Sequence, residues 1–104
     1  MSMKANGISE HLCRVYVFVR ERGDWTTAHE IAKSARVAPR TARAHALRLV
    51  KAGIFDLVAV FPGHHYRVAS NAAQRNRGFM QRLEHAAAVF GHADSARRHG
   101  KTEN

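Results

Sequence analysis

Between positions 27 and 45 the chain reads Thr27-Ala28-His29-Glu30-Ile31-Ala32, breaks at Arg36-Val37-Ala38, and resumes as Pro39-Arg40-Thr41-Ala42-Arg43-Ala44-His45. Thr27 followed three residues later by Glu30 is a capping box, in which a hydroxyl and a carboxylate each satisfy an orphan N–H at a helix start. A helix is therefore expected over residues 28–35, burying Ile31 and Ala35, with Ala32 small enough to admit a second helix. Val37 is the one apolar residue of the connection, placed to plug the angle between two packed helices. Pro39 suits the first position of the next helix, where its missing N–H would have been unpaired in any case. That helix is expected to run to about Ala52 and stop at Gly53, with Ala42, Ala46 and Leu49 at i, i+4 and i+7 as its buried face.

Downstream, residues 54–61 are rich in strand formers and residues 65–68 continue the pattern after Pro62-Gly63. Proline cannot take the positive φ that a two-residue hairpin turn needs first, so a slightly longer loop including His64 is expected. Upstream, Ile8, Leu12, Val15, Tyr16 and Val19 have the spacing of an amphipathic helix over residues 8–22, which Gly23 stops. Asp24-Trp25-Thr26 reads as a brief extended segment. A helical pattern returns over residues 71–90, with Phe79, Met80, Leu83, Ala86, Ala87 and Phe90 on one side. Residues 1–7 read as a loose lead-in, and residues 91–104, with almost no apolar content, as a disordered tail.

At 104 residues the chain has room for one modest core and no second, catalytic domain. Seventeen Lys and Arg against eight Asp and Glu give a net charge of +9, which favours a polyanionic partner: duplex DNA, RNA or an anionic membrane. Arginine outnumbers lysine 13 to 4, and a GC-rich genome would inflate Ala and Arg together, so placement rather than totals carries the argument. The single Cys13 cannot form an internal disulfide, no stretch approaches the ~20 apolar residues of a membrane span, and the N-terminus lacks a signal-like apolar region. A cytoplasmic protein with no membrane partner is expected.

Placement is informative. Residues 26–70 hold seven cations against Glu30 and Asp56, a net +5. On the helix that starts at Pro39, the residues Arg40, Thr41, Arg43 and Ala44 project away from the apolar face near the N-terminus, the part of a recognition helix that meets base edges in a major groove. Arginine is bidentate to guanine N7 and O6, threonine bonds a phosphate or touches a thymine methyl, and Ala44 keeps the surface low enough to enter. Thr27, Lys33, Arg36, His45, Arg48, His64, His65 and Arg67 are the candidate backbone contacts.

Eight histidines raise the question of a metal. His64-His65 and the seven-residue recurrence of His85, His92 and His99 match no ligand spacing with cysteine or carboxylate support, so no metal and no cofactor are expected. No paired nucleophile and base and no glycine-rich phosphate loop are present, so the chain reads as a non-enzyme.

The run from Thr27 through Pro39 to Ala52-Gly53-Ile54 resembles the winged helix-turn-helix domain of bacterial transcription regulators, whose pattern reads S-x-x-T-V-x-R-H-L-x-x-L-x-x-A-G-L. The likeness covers about half the chain. It implies a mainly α fold with a small β-hairpin wing, a helix carrying Arg40, Thr41 and Arg43 in the major groove, and a wing against the backbone or minor groove. Ala38 replaces a capping serine, Ala42 a larger aliphatic and Ala46 a leucine, so the core beside this helix must be filled from elsewhere, with Trp25, Tyr16 and Phe18 as candidates. The wing has no lysine- or arginine-rich tip, only His64, His65 and Arg67.

The organisation expected is thus a DNA-binding unit over 1–70, a C-terminal helix over 71–92 and a tail over 93–104. The stripe Phe79, Met80, Leu83, Ala87 and Phe90 has two readings: it pairs with a second copy, the preferred one, or it folds back over the first helix. The function expected is sequence-specific binding of double-stranded DNA by a homodimeric regulator, a repressor or autoregulator. The alternatives are a plasmid or phage DNA-organising or replication accessory protein that binds by shape and charge, and a winged helix serving as a protein-interaction module.

Overall fold

The structure, a computed structural model, describes residues 4–5, 7–60 and 63–91. Helix α1 (Glu10–Arg22) begins where the Ser9 hydroxyl accepts the Leu12 N–H at 3.1 Å and ends at Gly23, whose φ of 70° lets its N–H reach the Val19 carbonyl. Its buried residues include Leu12, Cys13, Val15, Tyr16 and Val19, so it is the axis about which the other elements pack. Ahead of it, β1 (Lys4–Ala5) and β2 (Ile8–Ser9) pair around Gly7. Part of the expected lead-in is therefore a small hairpin; its other residues lie outside the described ones.

Strand β3 (Thr26–Thr27) is short but paired. Thr26 faces Tyr66 and Thr27 faces His65, so the sheet has three strands in the order β3-β5-β4 rather than the two of an isolated hairpin. The capping box at Thr27 and Glu30 opens α2 (Ala28–Ala35), and both of its reciprocal hydrogen bonds are present. Arg36 closes α2 in the left-handed conformation, φ 59° and ψ 46°.

Helix α3 (Pro39–Lys51) starts with proline at its first turn and no side-chain cap from Ala38. It ends in a Schellman motif: the Ile54 N–H bonds the Leu49 carbonyl and the Gly53 N–H the Val50 carbonyl, with Gly53 at φ 85°. Ala42, Ala46 and Leu49 are fully buried, as their spacing predicted, and the two alanines let α1 and α2 come close. The largest fully buried side chains are Tyr16, Tyr66 and Phe55. Of the three proposed fillers, Tyr16 is in the core and Phe18 packs half-buried against it, whereas Trp25 stays half-buried beneath the Arg67 guanidinium, 4.4 Å from its ring centroid.

Strands β4 (Phe55–Val60) and β5 (Gly63–Val68) pair from Phe55–Val68 out to Val60–Gly63. His64 is thus a strand residue opposite Ala59, not part of the loop; Phe61 and Pro62 lie outside the described residues.

The C-terminal segment is not one helix. It comprises α4 (Ala72–Arg75), a break at Asn76, α5 (Arg77–Ala86) and a π-helical turn (Ala87–Gly91). Asn76 explains the break: its amide nitrogen donates to the Ala52 carbonyl at the end of α3, while its Oδ1 caps α5 by accepting the Phe79 N–H. The apolar stripe packs on α1 within the same chain, which is the fold-back alternative and not an exposed pairing face. Phe79, Leu83 and Ala87 are buried there, and Met80 and Phe90 are half-buried against the core. The Tyr16 hydroxyl donates to Glu84, which also receives Arg20 at 3.0 Å, so burial and the neighbouring carboxylate both push the phenol pKa up. The expected tail over 93–104 lies outside the described residues.

Candidate nucleic-acid interface

Helices α2 and α3 meet at the tight turn around Arg36-Val37-Ala38, where the Val37 N–H bonds the Ala32 carbonyl and its side chain is half-buried in the angle. The turn holds α3 by one face. At about 100° per residue, the side opposite Ala42, Ala46 and Leu49 carries Arg40, Ala44, Leu47 and Lys51. Arg40, Arg43, Ala44, Leu47, Arg48 and Lys51 are all exposed. Arg43 lies on the flank toward the hairpin, where it faces Tyr66 and lines an open groove of about 530 Å³ together with Thr27, Ala28, His29, Gly63, His64 and His65. Thr41 is half-buried on the opposite flank rather than at the crest.

The electrostatics of this unit are one-sided. Lys33, Arg36, Arg40, Arg43, Arg48 and Lys51 have no carboxylate partner among the described residues, where Lys4, Arg77 and Arg82 are the other cations without one. The cause is local. Glu30 is the sole acid of residues 28–51, and it is committed: its Oε1 accepts the Thr27 N–H and the Thr26 hydroxyl, each at 3.0 Å, and its Oε2 pairs with Arg22 at 3.1 Å. These donors hold its carboxyl below the usual range, the Thr27 N–H most of all. Thr27 is occupied too, since its hydroxyl accepts the Glu30 N–H, so its part at the interface is to set the start of α2.

The hairpin differs from the expectation for a wing that clamps phosphate. Arg67, its one arginine, lies over the Trp25 ring and sits 3.9 Å from Asp56, which Arg75 approaches more closely, at 3.1 Å. Leu57, Val58 and Val60 are exposed on the same hairpin. His64 is exposed and His65 half-buried, with its Nδ1 buried and without a partner among the described residues.

His45 is not on the presented face. It is half-buried on the flank toward α1, and burial, His11 and Arg48 lower its pKa, in that order of weight. Leu47 and Lys51, which the sequence reading passed over, do belong to the face; the signal available was the spacing of Arg40, Ala44, Leu47 and Lys51. Among the described residues no group of three or more His, Cys, Asp or Glu could hold a metal ion; His92 and His99 lie outside them. No described helix is long and apolar enough to cross a membrane.

No protein-family profile matches the chain, and no curated protein matches its sequence. Solved structures do match. The ST1889 protein of the thermoacidophilic archaeon Sulfolobus tokodaii superposes with a TM-score of 0.61 at 18% identity, over 86% of each chain. The YusO protein of Bacillus subtilis gives 0.59 at 15% identity, over 86% of this chain and 63% of its own length. NadR in complex with 4-hydroxyphenylacetate gives 0.59 at 13%, over 93% of this chain and 68% of its own. NadR and YusO are MarR-type winged-helix regulators, and the chain has a winged-helix fold, mostly helical with a small antiparallel sheet and a C-terminal helical segment.

Proposed function

We propose that the chain binds double-stranded DNA in a sequence-specific manner and acts as a transcription regulator, a repressor or autoregulator, without enzymatic activity. The observation that carries this reading is the uncompensated charge of the α2–α3 unit: six cations within one supersecondary unit, four of them on a helix held by its opposite face. Isolated surface cations are ordinary, but like charges gathered without acids repel one another and are relieved by a polyanion. In this reading α3 lies in the major groove, Arg40 and Arg43 reach guanine edges, and Lys33, Arg36, Arg48 and Lys51 meet phosphates. The winged-helix regulator fold of the structural neighbours supports the same reading.

A homodimer would set two α3 helices one helical turn apart on a two-fold site. Because Phe79, Leu83 and Ala87 are covered by the chain itself, the large apolar residues left for such a contact on the described part of the C-terminal segment are Met80, Val89 and Phe90.

Selection of duplexes from a random library, followed by anisotropy titration against selected and scrambled DNA, tests the proposal. Specific binding with a slope of log K against log salt of roughly −4 is expected if the four phosphate-facing cations engage. Equal affinity for selected and scrambled duplexes would convert the reading to binding by shape and charge; no binding at low salt would remove DNA altogether. Sedimentation of the free protein reports the oligomeric state.

A further inference from the structure

Leu47 is 40% exposed at the centre of the α3 face. A single exposed leucine is common on protein surfaces. This one differs in its surroundings: Arg43 precedes it by one turn, Arg40 by two, and Lys51 follows by one, and none of the three has a carboxylate partner among the described residues. Ala44, three residues back on the same face, adds no bulk that would shield it.

Any polyanion seated on these cations must cover Leu47. A second copy of this chain is repelled by the same charges. Covering an aliphatic side chain with phosphate, sugar hydroxyl or amide edges would desolvate polar groups without return. The floor of the major groove offers one apolar group, the 5-methyl of thymine. We infer that Leu47 is a specificity-determining residue that packs on a thymine methyl, so that the preferred site has a thymine beside the bases met by Arg40 and Arg43. This inference rests on the reading of α3 as the DNA-contacting helix and deepens it: the arginines select guanine through hydrogen bonds, and Leu47 selects thymine through apolar contact.

The experiment uses the full chain and a duplex selected from a random library, resynthesised with each thymine in turn replaced by deoxyuridine, which removes one methyl group and no hydrogen bond. One replacement weakens binding by about fourfold, the effect of uncovering a single methyl group. Leu47→Ala loses that discrimination while still binding the duplex, and Leu47→Met keeps it. Because the side chain is exposed, the variants are expected to melt with the wild-type profile, which circular dichroism checks. Tight, specific binding that is indifferent to every deoxyuridine overturns the role of Leu47 and leaves the DNA-binding reading standing. The same holds if Leu47→Ala discriminates as the wild type does. Failure to bind any duplex overturns both, and capture of an acidic protein in place of DNA would assign the face to a different partner.

Discussion

Arg14, Arg20, Arg22, Arg67 and Arg75 each reach a carboxylate at 2.8 to 3.9 Å, whereas Lys33, Arg36, Arg40, Arg43, Arg48 and Lys51 reach none among the described residues. Of the paired arginines, all but Arg14, whose partner Glu10 lies in the same helix, tie elements together. Arg20 and Glu84 join α1 to α5, Arg22 and Glu30 join α1 to α2, and Arg75 and Asp56 join α4 to the hairpin. Exposed ion pairs of this kind contribute little individually, about 0–1 kcal/mol, so their role is to position rather than to stabilise. The unpaired set lies on the unit that projects from the core. One basic chain thus carries two populations of cation, and net charge alone does not distinguish them.

The sharpest way to break this distinction is to exchange the sign of the free set. Arg40→Glu together with Arg43→Glu should lower duplex affinity more than about 100-fold, since each arginine in such a contact is worth ~1–3 kcal/mol. Arg14→Ala, which removes a paired cation, should leave the anisotropy titration within about twofold of the wild type. Equal losses from the two changes would mean that total charge, not placement, governs binding.

Glu84→Ala tests the other population. It leaves the hydroxyl of the fully buried Tyr16 and the Arg20 guanidinium without their carboxylate, at a cost of about 1–3 kcal/mol in a urea melt. Duplex affinity measured below the melting transition should not change. A change in affinity without loss of stability would contradict the assignment of α5 to holding α1.

Arg36 belongs to both stories, because it is a free cation that also occupies a left-handed backbone position at φ 59°. Arg36→Gly should stabilise the fold by about 1 kcal/mol, as glycine meets no Cβ penalty there. The same change should reduce the salt slope by about one. Opposite signs in the thermal melt and the binding titration are the expected signature, and a loss in both would show that the Arg36 side chain supports the turn.

How much of this was legible beforehand depended on whether a residue's partners are local. Thr27 with Glu30, Pro39 at the start of α3, Gly53 after it and the Ala42, Ala46, Leu49 face are set by neighbours within a few residues, and the structure has them as the sequence reads. The isolation of Arg40, Arg43 and Arg48 from acids was also visible, because Glu30 is the sole carboxylate in reach along the chain. What escaped were pairings over long separations. Asn76 breaks the C-terminal helix because it bonds Ala52, and Arg67, though exposed, lies over Trp25 and beside Asp56. Thr26 and Thr27 form a strand only because Tyr66 and His65 lie opposite. The stripe of Phe79, Leu83 and Ala87 was readable as apolar, but periodicity does not say whether α1 or a second copy covers it.

The smallest expected effect probes whether the free charge of α3 is felt inside the fold. His45 lies beside Arg48, and its pKa is lowered by burial first, then by His11 and by Arg48. The unfolded chain, with an ordinary histidine near 6.5, therefore takes up a proton at a higher pH than the folded one does. Its contribution to stability is fully present above that value and is lost as the pH falls through the folded pKa. Melting temperatures measured from about pH 7.5 to 5.5 should decline, and His45→Gln should flatten that part of the curve. Arg48→Gln should recover a fraction of the loss in acid, because it removes the third of the three causes and leaves burial and His11 in place. An unchanged acid limb in Arg48→Gln would show that a carboxylate or ordered solvent already screens Arg48, and the contrast between paired and free cations would then narrow to the residues on the crest and hairpin side of α3.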